Sequence, residues 1–330
     1  MENDILLHVE GLNVGFKTRD GYSPAVQDVS FDIPRGKVTA IVGESGSGKS
    51  VTSKSILRLL ESNAEVTCKA MTFDGVDMMA LGDKEMRSVR GNRISMIFQE
   101  PMTSLNPLMT VCKQISESLM KHQGLRKYEA RKQALELLKQ VGIPDAESRL
   151  DDYPHQLSGG MRQRVMIAMA IACNPQLLIA DEPTTALDVT IQAQILDLLL
   201  ELKEKRNMSI LLITHNLGVV AEVAEQVITM YAGQIVERMS VEKTFTHPQH
   251  PYTHGLIRSI PTAAQAHGIL NVIEGTVPSP MFYPKGCHFS NRCPYASDKC
   301  KSEMPLLTEA DSGHLVRCFY PLSDERGQLE

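Results

Sequence analysis

The chain has 330 residues, 42% of them hydrophobic and 22% charged, with a formal net charge of −5. That length supplies a sizeable core and favours two or three domains, and a dispersed, slightly acidic charge argues against nucleic acid as a partner, which would require a basic face. No apolar run approaches the roughly 20 residues that span a bilayer, and the acidic start Met1-Glu2-Asn3-Asp4 is unlike a signal peptide. The expectation is a cytosolic protein.

From about Leu6 to Ile33 apolar and polar residues alternate, with a turn at Asp20-Gly21, which predicts hairpin strands. The apolar run Val38 to Val42 then leads into Gly43-Glu44-Ser45-Gly46-Ser47-Gly48-Lys49-Ser50 and a helix start at Val51. This strand, glycine loop and helix form the phosphate-binding pattern G-x-x-x-x-G-K-[ST]. Backbone N–H groups turn toward phosphate oxygens, Lys49 reaches the β and γ phosphates, and Ser50 offers a hydroxyl to Mg²⁺. A nucleoside triphosphate ligand is implied.

Gln99 ends the strand-like run from Ile94, where its carboxamide is placed to meet a metal or an attacking water. The segment Val111 to Val141 has helical periodicity, with Ile115, Leu119, Leu135, Leu138 and Val141 on one face, and reads as a helical arm. The basic pairs Arg126-Lys127 and Arg131-Lys132 read as its solvated side. Leu157-Ser158-Gly159-Gly160-Met161 opens a second helix: Ser158 is a good N-cap, and the two glycines expose backbone donors suited to an anion. Leu177 to Ala180 is a run suited to a strand buried on both faces, ending in Asp181-Glu182 at the edge where open α/β sheets bind ligands. Asn207 to Ile213 predicts another strand, followed by His215, and Val227 to Val236 a hairpin around Ala232-Gly233.

Beyond about Glu242 proline becomes frequent and helical periodicity fades, which predicts a loop-rich, core-poor extension. His247, His250 and His254 read as solvated or packing residues, with His250-Pro251-Tyr252-Thr253 a turn into a helix. Cys287, Cys293, Cys300 and Cys318 are spaced C-x5-C-x6-C-x17-C, while Cys68, Cys112 and Cys173 are scattered and read as ordinary thiols. In a reducing compartment a metal or cluster site is expected before disulfides. The spacing lacks the tight knuckles of structural zinc and suits an iron–sulfur cluster at least as well, so both remain open.

The order of P-loop, Gln99, Leu157-Ser158-Gly159-Gly160, the acidic strand end, Ala186-Leu187-Asp188 and His215 resembles the ATPase subunits of ABC transporters. The resemblance implies an α/β P-loop NTPase fold with an antiparallel β subdomain, a helical signature subdomain at about 100–165 and a small loop-rich cysteine domain. It further implies that Asp181 holds Mg²⁺ with Ser50 and Gln99, that Glu182 is the general base, and that His215 contacts the γ phosphate. ATP is expected to touch Gly43, Ser45, Gly46, Ser47, Gly48, Lys49, Ser50 and Val51. Phe16 is expected on the adenine, with Tyr22 as the alternative. Ser158, Gly159 and Gly160 would contact ATP held by a second ATPase subunit, with Asp188 at the dimer seam. Val51 stands where many of these ATPases have threonine, and Asn216 where aspartate is usual; neither removes a charged catalytic group.

Ile97-Phe98-Gln99-Glu100-Pro101-Met102-Thr103-Ser104-Leu105-Asn106-Pro107, the stretch Tyr153 to Met161, Ala180 to Thr190, His250-Pro251-Tyr252-Thr253 and the four-cysteine tail are together similar to the ATPase subunits of bacterial dipeptide and oligopeptide importers, in their D-type branch. The implied division is 1–242 and 243–330. The implied cofactors are ATP, Mg²⁺ and a [4Fe-4S] cluster on Cys287, Cys293, Cys300 and Cys318. The implied partners are a paralogous second ATPase, two transmembrane permeases and an extracytoplasmic peptide-binding protein, at the cytoplasmic face of the inner membrane. Cargo stays open among peptides, nickel chelates, haem and glutathione. A nucleotide-gated iron–sulfur sensor is the alternative from another class. An ABC protein of translation or DNA repair is disfavoured by the single cassette and the lack of sustained heptads.

Overall fold

The computed structural model describes residues 4–19, 21–100, 104–185, 188–260 and 272–323. Asp20 of the predicted turn, Pro101 to Thr103, and Ala186 and Leu187 lie outside them. The chain divides into two compact units that do not follow chain order: Met1–Leu6, Pro34–Lys37 and Ala80–Leu212 in one, Leu7–Ile33, Val38–Met79 and Ile213–Glu330 in the other.

In the second unit the predicted hairpin is present as strands Ile5–Thr18 and Gly21–Pro34. Ile5–Thr18 continues the antiparallel sheet by pairing with Ala70–Phe73 and with Ala64–Thr67. Alternation sets which side is buried: Leu7, Val9, Val29, Phe31 and Ile33 are almost wholly enclosed. A second set of strands has Val38–Val42 beside Gln226–Tyr231 in parallel, then Gln234–Ser240, His314–Val316 and Thr308–Asp311 in antiparallel order. Val38–Val42 is buried along its whole length, as an apolar parallel strand requires.

The C-terminal extension is richer in core than its proline content suggested. Helix Pro251–Arg258 follows His250 as read from the turn, and strand His314–Val316 pairs with Gln234–Ser240. Tyr252 and Phe289 are buried against Tyr231, Ala232 and Val236 in one aromatic cluster, with Cys287 and Cys293 packed on it. Ring centroids lie 4.6 Å apart for Tyr231–Tyr252 and 5.1 Å for Tyr231–Phe289, the latter edge-on, a favoured quadrupole geometry. Prolines break periodicity without preventing burial; the core here is built by single large rings.

In the first unit strands Ser209–Ile213, Leu177–Asp181 and Ile94–Ile97 lie side by side, the last two in parallel. The predicted arm is two helices, Val111–Gln123 and Lys127–Gln140, which pack on each other. Gly124, at φ 67°, takes the left-handed position that ends the first helix, which is why the periodicity runs on while the backbone does not. Asn207 similarly caps helix Val189–Arg206 at φ 48°, so the strand expected from Asn207 begins at Ser209. Arg131 pairs with Asp151 on an exposed surface, consistent with a solvated basic side.

Candidate nucleotide and cysteine sites

The P-loop connects strand Val38–Val42 to helix Lys49–Ile56 in the second unit. Gly43, Gly46 and Gly48 have φ of 147°, 82° and 99°, positions that L side chains rarely adopt. At Gly43 a Cβ would stand 2.2 Å from the Met230 carbonyl oxygen, so only glycine lets this loop lie against strand Gln226–Tyr231. Lys49 is buried, and its Nζ donates to the Gly43 and Glu44 carbonyls at 2.7 and 2.9 Å, which holds its charge at the centre of the loop. Ser50 and Val51 form the first turn of the helix, where backbone N–H groups and the helix dipole favour an anion.

Phe16 is half-buried on strand Ile5–Thr18. The ring of the exposed Tyr22 lies so close over Gly15 that a Cβ there would meet it at 2.2 Å. His215 is exposed just beyond strand Ser209–Ile213. Asn216 caps the next helix, Leu217–Val223, accepting from the N–H groups of Gly218 and Val219. An aspartate could cap in the same way, so the substitution is structurally mild.

In the first unit Asp181 is the buried last residue of strand Leu177–Asp181, and Glu182 follows it. Glu182 has φ 48°, an uncommon left-handed conformation for a residue with a side chain and one that clusters at functional sites. Its Oε2 accepts from Gln99 Nε2 at 3.0 Å and from Thr185 Oγ1 at 2.8 Å. One carboxylate oxygen is thereby held in a fixed orientation at the end of the strand. The structure thus joins Gln99 and Glu182, two residues the motif order had only placed in sequence.

Ser158 is the N-cap of helix Gly159–Ile171, its hydroxyl accepting from Met161 N–H. Space beside Gly159 is open, and a Cβ at Gly160 would lie 3.3 Å from Ile191. Asp188 caps helix Val189–Arg206 by accepting from Ile191 N–H at 2.9 Å, and Val189 beside it is 83% exposed. Sequence reading passed over Gln163, a buried carboxamide whose Nε2 donates to the Pro183 carbonyl at 2.5 Å and ties the Ser158 helix to the turn carrying Glu182. Its signal was a polar residue on the inward side of an apolar helix.

Cys287, Cys293, Cys300 and Cys318 all line one apolar-walled cavity with Phe289 and Phe319. The four-thiol set is brought together in space although it spreads over loops. Among the described residues no three or more His, Cys, Asp or Glu side chains are grouped as ligands of a single metal ion. Burial pushes the Cys293 thiol up to about 11 and the Cys318 thiol up to about 12, with the neighbouring cysteines adding to both. Metal-free chain at pH 8 is therefore expected to react with iodoacetamide at Cys293 and Cys318 at least ~10-fold more slowly than a free thiol, because thiolate is the nucleophile; alkylation should accelerate between about pH 9 and 12. Mass-spectrometric labelling across that range checks it. His250 is buried as the N-cap of Pro251–Arg258, and burial lowers it to about 3, so it packs as a neutral ring; His247 is exposed.

A model described as "ABC transporter" matches residues 26–185, and one described as "Oligopeptide/dipeptide transporter, C-terminal region" matches 236–300. The chain is 52% identical over 319 residues to the dipeptide transport ATP-binding protein DppD of Escherichia coli (strain K12), covering 97% of this chain and 98% of the relative. It is 52% identical over 323 residues to the oligopeptide transport ATP-binding protein AppD of Bacillus subtilis (strain 168), covering 98% of each. A solved dimeric ATP-binding cassette in a post-hydrolysis state bound to ADP and Pi is 30% identical, with a TM-score of 0.64 over 71% of this chain and 98% of that one.

Proposed function

The chain belongs to the ABC-transporter ATPases, in their dipeptide and oligopeptide branch, and from that premise we propose that it powers import of short peptides across a bacterial inner membrane. It is an ATPase with the ABC fold. Among the described residues no helix is long and apolar enough to cross a membrane, which supports attachment to the cytoplasmic face through two permease subunits. The observation that carries the catalytic reading is Glu182, set in a left-handed turn after the buried Leu177–Asp181 strand with Oε2 held by Gln99 and Thr185.

In this reading Gly43 to Val51 hold the phosphates of ATP and Ser50, Asp181 and Gln99 serve Mg²⁺, while Phe16 or Tyr22 meets the adenine. Glu182 takes the proton from water and His215 contacts the γ phosphate. Ser158, Gly159 and Gly160 serve the ATP of a paralogous second subunit, with Asp188 at the seam. ATP then favours a closed dimer because the open one lacks half the phosphate contacts, and hydrolysis removes the bridge. Functionally the chain reads as 1–242, with the helical part at about 100–165, and 243–330. A peptide-binding protein outside the membrane completes the importer. The sensor reading is not favoured, since the near relatives are transport subunits.

Cys287, Cys293, Cys300 and Cys318 would hold a [4Fe-4S] cluster, whose bound form supplies one-electron chemistry and local cross-linking. What supports this is their convergence on one cavity. Two measurements test the whole proposal. Loss of the chain should abolish dipeptide uptake; intact peptide uptake with loss of nickel, haem or glutathione uptake would reassign the cargo. Anaerobically purified protein should carry about four irons and four sulfides; stoichiometric zinc would make the tail a zinc module.

A further inference from the structure

The P-loop carries a carboxylate, Glu44, beside the place where a triphosphate would lie, and like charges there oppose binding unless the carboxylate is paired. The C-terminal extension supplies the pairing. Arg292, its side chain only 6% exposed, donates from Nη1 to Glu44 Oε2 at 2.9 Å. The same guanidinium is fixed by the Glu274 carbonyl on Nε at 2.8 Å and by the Ile273 and Gly275 carbonyls on Nη2. Its carbon lies 5.7 Å from the Tyr231 ring centroid and 6.0 Å from that of Phe289. Such a guanidinium is pre-organised, and a charge-assisted bond from it is among the stronger kinds.

Two further contacts reach the loop backbone. The fully buried Tyr252 accepts from Glu44 N–H through its hydroxyl oxygen at 2.8 Å. His288 Nδ1 donates to the Ala232 carbonyl at 2.7 Å, and the next residue, Gly233, donates its N–H to the Ser47 carbonyl at 3.0 Å. Glu44 is thus held at both backbone and side chain by residues more than 200 positions away, separations of 208 and 248 in sequence.

We propose that Arg292 and Tyr252 are positioning residues for the nucleotide site: Arg292 neutralises Glu44 and draws it aside, and Tyr252 fixes the loop's first turn, so that the extension sets ATP affinity. This rests on the reading of Gly43 to Ser50 as the ATP-holding loop. The roles differ from catalysis because neither residue needs to touch the reacting atoms.

The test measures equilibrium binding of a fluorescent ATP analogue, steady-state ATP kinetics and thermal stability in the full chain. Arg292→Ala is expected to weaken binding and raise KM by about 10-fold or more, the scale of a charged hydrogen bond, with kcat within about twofold. Arg292→Lys should recover part of the loss. Adding Glu44→Gln to Arg292→Ala should restore affinity to within a few-fold of wild type, because the unpaired charge is gone. Tyr252→Phe should weaken binding by roughly threefold to tenfold at little cost in stability. Wild-type affinity in Arg292→Ala, or in Tyr252→Phe should the arginine variant not fold, overturns the proposal. So does a double variant as weak as Arg292→Ala and equally less stable, which marks a purely structural role. Lys49→Ala separates the two levels: wild-type affinity in that variant overturns the ATP-site reading, and the proposal with it.

Discussion

Glu182→Gln is expected to lower steady-state ATP turnover by about 10²- to 10⁴-fold, the usual contribution of a positioned general base, while ATP binding survives. The amide matches the carboxylate in shape and can keep its one oxygen toward Gln99 Nε2 and Thr185 Oγ1, so the left-handed turn at Glu182 retains its bonds. That orientation puts the amide nitrogen where Oε1 stood. An acceptor for the water proton becomes a donor, and the base is lost without loss of fold. ATP should then hold the closed dimer, because the step that releases it has been removed. Phosphate release and ATP binding measured on one preparation decide the matter: unchanged hydrolysis removes Glu182 from the base role.

Phe289→Ala is expected to destabilise the second unit by about 3–5 kcal/mol, the range for a buried phenylalanine truncated to alanine. Phe289 is 2% exposed and touches Tyr231, Tyr252 and His250, with ring centroids 5.1, 5.4 and 5.8 Å away, and Arg292 covers its face. These neighbours are tied elsewhere by hydrogen bonds, Tyr252 to Glu44 and His250 to Glu237 and Tyr252, so they cannot collapse into the space. Against a typical total of about 5–15 kcal/mol, a loss of that size should lower the denaturant midpoint severely or leave the extension unfolded. A midpoint within a few per cent of wild type would show that the ring is peripheral to stability.

Much of the site was legible because its chemistry is local. The strand, glycine loop and helix from Val38 to Ile56, the Ser158 cap, and the buried run ending in Asp181 each depend on residues within about two turns of one another, whereas the cap that Asp188 makes emerged only in the structure. Periodicity placed Ile115, Leu119, Leu138 and Val141 inward, but Leu135 is only half-buried and Ala130, Ala134 and Leu137 fill the rest of the inward side of Lys127–Gln140. It did not mark the break at Gly124, since a left-handed cap leaves both helices free to present apolar residues to the same core. The four cysteines were legible as a converging set, while the aromatic walls of the cavity they share were not, because loops carry no period.

By itself the sequence determined the phosphate loop, the acidic strand end and the Ser158 cap, which follow from backbone conformations that neighbouring side chains impose, while the ATPase fold was implied by the resemblance of the motif order. Only the tertiary structure decided that Gln99 and Thr185 hold Glu182, that Gln163 reaches Pro183, and that Tyr252 and Arg292 reach Glu44. Those partners are chosen by packing: a buried donor must find an acceptor wherever the fold brings one, and no sequence spacing encodes a meeting between residues 208 or 248 positions apart.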